Sequence, residues 1–175
     1  MELTVSVRLI EKGVMRNLKS QEWADLGAGK GVFTKALATL LSKDSTIHAV
    51  DTNAASLNSI EISTNGVTIR KIQKNFITED LGPIQFDGVM MGNSLHFVSE
   101  KFSFIKKLKK SLKKSGHLII VEYDIDRSNT WVPFPLTFAR LQKLARDTGF
   151  TSVSKIGEAP SVFNRANMYS AVLTL

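Results

Sequence analysis

Asp25-Leu26-Gly27-Ala28-Gly29-Lys30-Gly31-Val32-Phe33-Thr34 joins an apolar strand pattern, Glu22 to Leu26, to a helical pattern running from about Gly31 to Ser42. Glycines in such a turn let the chain reverse sharply and let a ligand touch the main chain where any Cβ would collide. The helix N-terminus behind them offers unpaired N–H groups. A nucleotide-like ligand fits that description. A dinucleotide fingerprint, G-x-G-x-x-G, needs its third glycine at position 32, but Val32 stands there and the third glycine is Gly31. A phosphate-binding P-loop needs Ser or Thr after a Gly-Lys pair, and Lys30 is followed by Gly31.

Outward from this turn, short β-branched runs alternate with longer helical patterns, which argues for a parallel sheet with crossover helices. Thr46 to Asp51 reads as the second strand, reached through a turn at Lys43, Asp44 and Ser45. A helix from Asn53 to Ser63 is expected to stop at Asn65 and Gly66, and Val67 to Gln73 reads as the third strand. Phe86 to Met91 is the fourth. A lysine-rich helix follows, with Ser99 as N-cap, an apolar face of Phe102, Ile105, Leu108 and Leu112, and Gly116 past its end. His117 to Tyr123 is the fifth strand, Leu136 to Thr148 the last helix, and Phe150 to Ile156 with Met168 to Leu175 a final antiparallel pair. The pattern predicts an α/β fold of about seven strands.

The chain of 175 residues is the size of one domain, so residues 1–175 are expected to share a single core. Its 43% hydrophobic and 22% charged residues are those of an ordinary globular protein. No apolar run is long enough to span a bilayer and the start lacks a signal-peptide layout, so the expected location is cytoplasmic. With no cysteine, thiolate chemistry and Cys-based metal sites are excluded, and the three histidines make a poor metal case. The net charge of +7 is local: seven of the 23 Lys and Arg lie between Lys101 and Lys114 without an acid, and the remaining 16 match the 16 acidic residues.

The spacing D-x-G-x-G-x-G resembles motif I of the class I S-adenosylmethionine-dependent methyltransferases, and the likeness extends over roughly residues 22 to 175. It is closest to the small-molecule, methyltransferase type 11-like group. The resemblance implies a Rossmann-like doubly wound sheet, mostly parallel with an antiparallel last strand, and S-adenosylmethionine as cofactor. It implies that Asp25 helps hold the methionine amino group against the turn Gly27, Ala28, Gly29 and Gly31. Asp51, followed by Thr52, is then the carboxylate for the two ribose hydroxyls, since one carboxylate accepts both hydrogen bonds. After the third strand the family usually has Asp and an apolar residue at the adenine; here Asn75 and Phe76 stand there. Asn93-Ser94-Leu95-His96-Phe97 follows the fourth strand, where many small-molecule methyltransferases have a similar Asn-small-Leu-His segment facing the reaction site. Neither the Asn-Pro-Pro-Tyr nor the Asn-Leu-Pro-Tyr segment of nucleic-acid methyltransferases is present.

On this reading the acceptor is a small molecule, nucleic acid is disfavoured, no membrane insertion is expected and the oligomeric state stays open. The lysines are expected to form a solvated helix face rather than a phosphate surface. His48 and His117 lie within or at the start of strands and read as structural. His96, at the ligand-facing edge, is the candidate to take a proton from a hydroxyl or amine, with Tyr123 as a second catalytic candidate. Glu122, Trp131 and Phe134 are candidate substrate contacts, the aromatic pair as a lid. Two other readings stay open: an RNA methyltransferase that uses the lysines, and an S-adenosylmethionine-binding protein without catalysis.

Overall fold

The computed structural model describes residues 1–15, 20–161 and 167–175. Its elements are α1 (Leu3–Ile10), β1 (Glu22–Leu26), α2 (Val32–Leu40), β2 (Thr46–Asp51), α3 (Ala54–Asn58), β3 (Ser63–Thr64), β4 (Val67–Gln73), β5 (Phe86–Gly92), α4 (Lys101–Lys109), β6 (Leu112–Tyr123), α5 (Phe138–Asp147), β7 (Ser152–Pro160) and β8 (Asn167–Thr174). The strands form one eight-stranded sheet in the order β3-β4-β2-β1-β5-β6-β8-β7. Strands β4, β2, β1, β5 and β6 run parallel, and β3, β8 and β7 pair antiparallel to their neighbours. The Rossmann-like sheet with an antiparallel edge is therefore present.

Central strands covered on both faces must be apolar almost throughout, and β1 from Trp23 to Leu26 and β5 from Phe86 to Met91 are continuously buried. On one face Leu9, Ile10 and Leu37 of α1 and α2 pack over Trp23, Met90 and Ile119. On the other, Ile105, Leu108 and Leu141 of α4 and α5 pack over Phe86, Leu118 and Ile120. From β1 the chain moves to one side through β2 and β4, then crosses to β5 on the other side of β1. The crevice between the carboxyl ends of β1 and β5 is thus the switch point of the sheet, where open α/β folds bind ligands.

Several elements differ from the sequence expectation. The helix expected from Asn53 to Ser63 stops at Asn58, although Asn53 caps it by accepting from the Ser56 N–H at 3.0 Å. Asn65 and Gly66 do not stop a helix: both have positive φ, 54° and 78°, and join β3 to β4 as a hairpin turn. The eighth strand comes from that hairpin. The lysine-rich helix starts after Glu100 rather than Ser99 and ends at Lys109. Its buried face is Phe104, Ile105 and Leu108, while Phe102 is exposed and Leu112 opens β6. Gly116 lies inside β6, at a register shift against β5, where a Cβ would meet the Lys113 carbonyl oxygen at 2.9 Å. The stretch before β1, given no element from sequence, holds α1, packed on α2 and β7.

Candidate functional site

A cleft of about 260 Å³ opens at the carboxyl ends of β1 and β5. The glycine turn forms one wall. Gly27 has φ +80°, and a Cβ there would lie 2.5 Å from Cβ of Ser94, so the turn after β1 and the turn after β5 touch through the missing side chain. Ser94 Oγ donates to the Leu26 carbonyl oxygen at 2.6 Å and ties the same two turns together. The N–H groups of Gly27 and Ala28 both donate to the Val50 carbonyl oxygen. Gly29 differs: its φ is +53°, yet a Cβ would meet nothing within 4 Å, because the space above it is open.

Two carboxylates flank this wall. Asp51 accepts from the Gly29 N–H through Oδ2 and from the Asn53 N–H through Oδ1, each at 2.8 Å, which fixes it beside the turn. Asp25 is 1% exposed and accepts from Thr34 Oγ1 at 2.6 Å. Burial pushes its carboxyl up to about 6; the Thr34 hydrogen bond opposes the shift and the neighbouring Asp51 adds to it. Phe76 lies next to Gly27 and meets Phe104 edge-on at 5.9 Å. Asn75 Oδ1 accepts from the Ile77 N–H, and Thr52 is exposed.

The opposite wall is made of side chains from β5 and β6. Asn93 has φ +55°, its N–H donates to the Val121 carbonyl oxygen, and its Nδ2 points at Met168 Sδ, 3.9 Å away. Asn93 Oδ1 is buried without a partner among the described residues. Buried acceptors rarely stay unpaired, so this oxygen faces the place of a donor. Tyr123 lines the cleft too, its hydroxyl raised above the usual range by burial first and the charge of Glu122 second.

His96 sits in a short 3-10 turn, Leu95–Phe97. Its N–H donates to Glu122 Oε1 at 3.0 Å and its Nδ1 lies 2.8 Å from Glu122 Oε2, with both residues at most 3% exposed. The Phe134 N–H donates to the His96 carbonyl oxygen, and Lys101 Nζ donates to the Val98 and Phe134 carbonyl oxygens. Trp131 is 81% exposed, in a loop held by Asn129 Oδ1.

Of the residues predicted from sequence, the structure brings Asp25, Gly27, Ala28, Gly29, Asn93 and Tyr123 to one cleft. Asp51 and Phe76 adjoin the glycine wall. His96 and Glu122 form a buried pair behind the opposite wall, while Trp131 and Phe134 stand on the exterior without lining the cleft. Met1, Lys30, Phe33 and Met168 line it and were not singled out from sequence. Lys30 and Phe33 belong to the glycine segment and could have been; Met1 and Met168 arrive only through folding. His48 pairs with Glu22 and His117 Nδ1 lies 3.1 Å from the Gly13 carbonyl oxygen. No group of three or more His, Asp or Glu suited to a metal occurs among the described residues.

A doubly wound sheet whose first strand leads into a glycine turn at the switch point, with Asp25 near the end of β1 and Asp51 closing β2, is the fold that the resemblance to class I S-adenosylmethionine-dependent methyltransferases implies. The sequence profile described as "Methyltransferase domain" matches residues 24–118, more than half of the chain, and the protein belongs to that family. No curated protein sequence matches the chain. Solved structures similar in fold include an arsenic(III) S-adenosylmethionine methyltransferase of Chlamydomonas reinhardtii, at 17% identity and TM-score 0.72, covering 92% of this chain and 65% of the other. A Leishmania major S-adenosylmethionine-dependent methyltransferase shares 20% identity at TM-score 0.72, over 97% of this chain and 71% of its own. The magnesium protoporphyrin IX methyltransferase of Synechocystis, with bound S-adenosylmethionine, shares 18% identity at TM-score 0.69, over 98% and 77%.

Proposed function

We propose that the protein transfers the methyl group of S-adenosylmethionine to a small-molecule acceptor held between the turn at Asn93 to Phe97 and the segment from Glu122 to Phe134. The observation that carries the reading is the cleft itself, in which the glycine turn, a buried Asp25 and the unpaired Asn93 oxygen converge at the switch point. Open space over Gly29 and an acceptor lacking its donor are what a cofactor with an adenosine body and an ammonium group would fill.

When bound, the cofactor supplies an electrophilic methyl group on a sulfonium. The chain's own residues bind and align. Gly29 leaves main chain open for close approach, Gly27 and Gly31, whose missing side chains are met by Ser94 and Ile60, hold the turn closed around it with Ala28, and Asp25 with Asn93 offers acceptors to the ammonium. Asp51 takes the ribose hydroxyls with Thr52 beside it, and Asn75 and Phe76 border the adenine. His96 and Tyr123 serve the acceptor, and Trp131 and Phe134, which stand outside the cleft in this structure, move over it to exclude water when it binds. Alignment in a dry site supplies most of the acceleration of an in-line displacement.

The small acceptor is supported by neighbours of the same fold whose substrates are arsenic(III), a magnesium porphyrin and phosphomonomethylethanolamine. The chain spans 52–77% of the length of these three structural neighbours, so acceptor and partners are part of the proposal. No helix among the described residues is long and apolar enough to cross a membrane, in keeping with a cytoplasmic place of action. Calorimetry tests the cofactor site: S-adenosylhomocysteine should bind and NAD should not, and the reverse would overturn the assignment. Labelled S-adenosylmethionine incubated with a small-molecule cell extract, and separately with RNA, should deliver label to the small-molecule fraction. Label in RNA, or none transferred, would replace the small-acceptor reading.

A further inference from the structure

The carboxylate of Glu122 cannot be an ordinary substrate contact, because the fold has already spent it. Glu122, next to last in β6, is 1% exposed and lies opposite Tyr169 of β8, on the face of the sheet covered by α4 and α5. One oxygen accepts from the His96 N–H at 3.0 Å and the other faces His96 Nδ1 at 2.8 Å. A carboxylate has no proton to give, so Nδ1 carries the shared one, and in the neutral ring Nε2 holds the lone pair. Among the described residues Nε2 has no protein hydrogen-bond partner. The His96 ring packs between Phe97, 4.3 Å away, and Tyr123, 6.1 Å away, and Tyr123 is a wall of the cleft.

We propose that Glu122 is a positioning residue that fixes His96 in its Nδ1–H tautomer and leaves Nε2 as the proton acceptor for a hydroxyl-bearing substrate. The inference rests on the methyl-transfer reading above and narrows it to acceptors that must lose a proton. The acceptor's O–H bond breaks and its proton goes to Nε2. The new C–O bond forms to the methyl carbon as the S–C bond breaks, and both electrons of that bond stay on sulfur. The imidazolium so formed faces the Glu122 carboxylate and returns its proton to water. A carboxylate behind the ring holds its orientation and stabilises the charge it acquires, the division of labour seen wherever a base is aligned by a third group.

Glu122→Gln separates this role from simple bracing. The amide oxygen remains to accept the His96 N–H, so the amide NH2 must face Nδ1 and force the ring proton onto Nε2. Histidine-selective ¹⁵N spectra, with His96→Asn to assign the signal, should show Nε2 unprotonated in the wild type and protonated in Glu122→Gln. S-adenosylhomocysteine should bind both proteins equally and shift the His96 Nε2 signal of the wild type. With the acceptor found in the extract assay, kcat of Glu122→Gln should fall about a hundredfold while KM stays within about twofold. An Nε2-protonated wild type, a tautomer unmoved by the substitution, an Nε2 signal indifferent to S-adenosylhomocysteine, or a wild-type kcat in the variant would each overturn the inference. Failure of the wild type to bind S-adenosylhomocysteine would instead overturn the methyl-transfer reading beneath it.

Discussion

The two walls of the cleft are built from different material. On the glycine wall, main-chain groups do the shaping: Gly27 and Ala28 N–H bind the Val50 carbonyl oxygen, and the Gly29 N–H binds Asp51. On the opposite wall the shape comes from side chains meeting across long stretches of sequence, as in His96 with Glu122 and Asn93 with Met168. The first wall tolerates no bulk and presents few side chains. The second presents many and is the one on which members of a family can change acceptor without rebuilding the sheet.

The sharpest way to break this comparison is to add one methyl group to each of two glycines. Gly27→Ala places a Cβ 2.5 Å from Ser94 in a left-handed backbone, and should cost about 2–5 kcal/mol of stability along with S-adenosylhomocysteine binding. Gly29→Ala meets open space, so it should cost only the backbone strain of about 1–2 kcal/mol while its methyl group blocks the ligand. Denaturant melts and calorimetry on the two variants decide it. Equal stability losses would show that the turn is not braced against Ser94.

Asp25 sharpens the comparison from the electrostatic side. Its carboxyl titrates at 3.8 when unperturbed and at about 6 in the fold, so the folded state holds the proton more tightly. The associated stability is complete below the lower value and is lost as pH rises through about 6, leaving the buried anion to cost about 3 kcal/mol at neutral pH. Asp25→Asn can still accept from Thr34, and should be more stable than the wild type at about pH 8 but not at about pH 4. Binding of a ligand ammonium beside Asp25 should release a proton near pH 6, measurable as buffer-dependent heat. Equal stability of the two proteins across that range would mean the carboxylate is not desolvated.

Asp51→Ala should weaken S-adenosylhomocysteine by about 1–3 kcal/mol, since it removes a charged acceptor and frees the Gly29 and Asn53 N–H groups. Unchanged affinity would place the ribose elsewhere. Trp131→Ala, at a site 81% exposed, should move stability by no more than about 0.5 kcal/mol, yet reduce methyl transfer more than cofactor affinity. A loss confined to cofactor affinity would move Trp131 to the other wall.

The smallest effect is expected from the basic segment that runs from α4 into the start of β6. Lys109 donates to the Gly149 carbonyl oxygen and Lys113 pairs with Asp87 at 2.8 Å, so they are tied to the fold, whereas Lys106, Lys107, Lys110 and Lys114 are exposed. Changing those four to Gln should leave activity on the small acceptor unaltered. Steep salt dependence of activity that disappears in the variant would mark a phosphate-bearing partner instead.

The bounds of β1, β2 and β4 could be read residue by residue: β1 and β2 are short, largely buried runs, and β4 opens just after Asn65-Gly66 with buried and exposed residues alternating from Val67 to Arg70. The glycine turn and its two acids were legible because glycine at positive φ is a local demand, although the contacts that hold the turn come from Val50, Asp51 and Ser94, far away in the chain. Asn65-Gly66 was misread because the same dipeptide ends helices and closes hairpins. Only the pairing of Ser63 and Thr64 with β4 decided between the two. Folding alone could show that Phe102 faces out and Phe104 in, since one residue of shift in a helix start rotates the buried face by about 100°. The same holds for Glu122. Its sequence position at the end of β6 leaves it free to face either side of the sheet. Alternation along the strand, set by the register with β5 and β8, turned it away from the cleft and onto His96, 26 residues away in the chain.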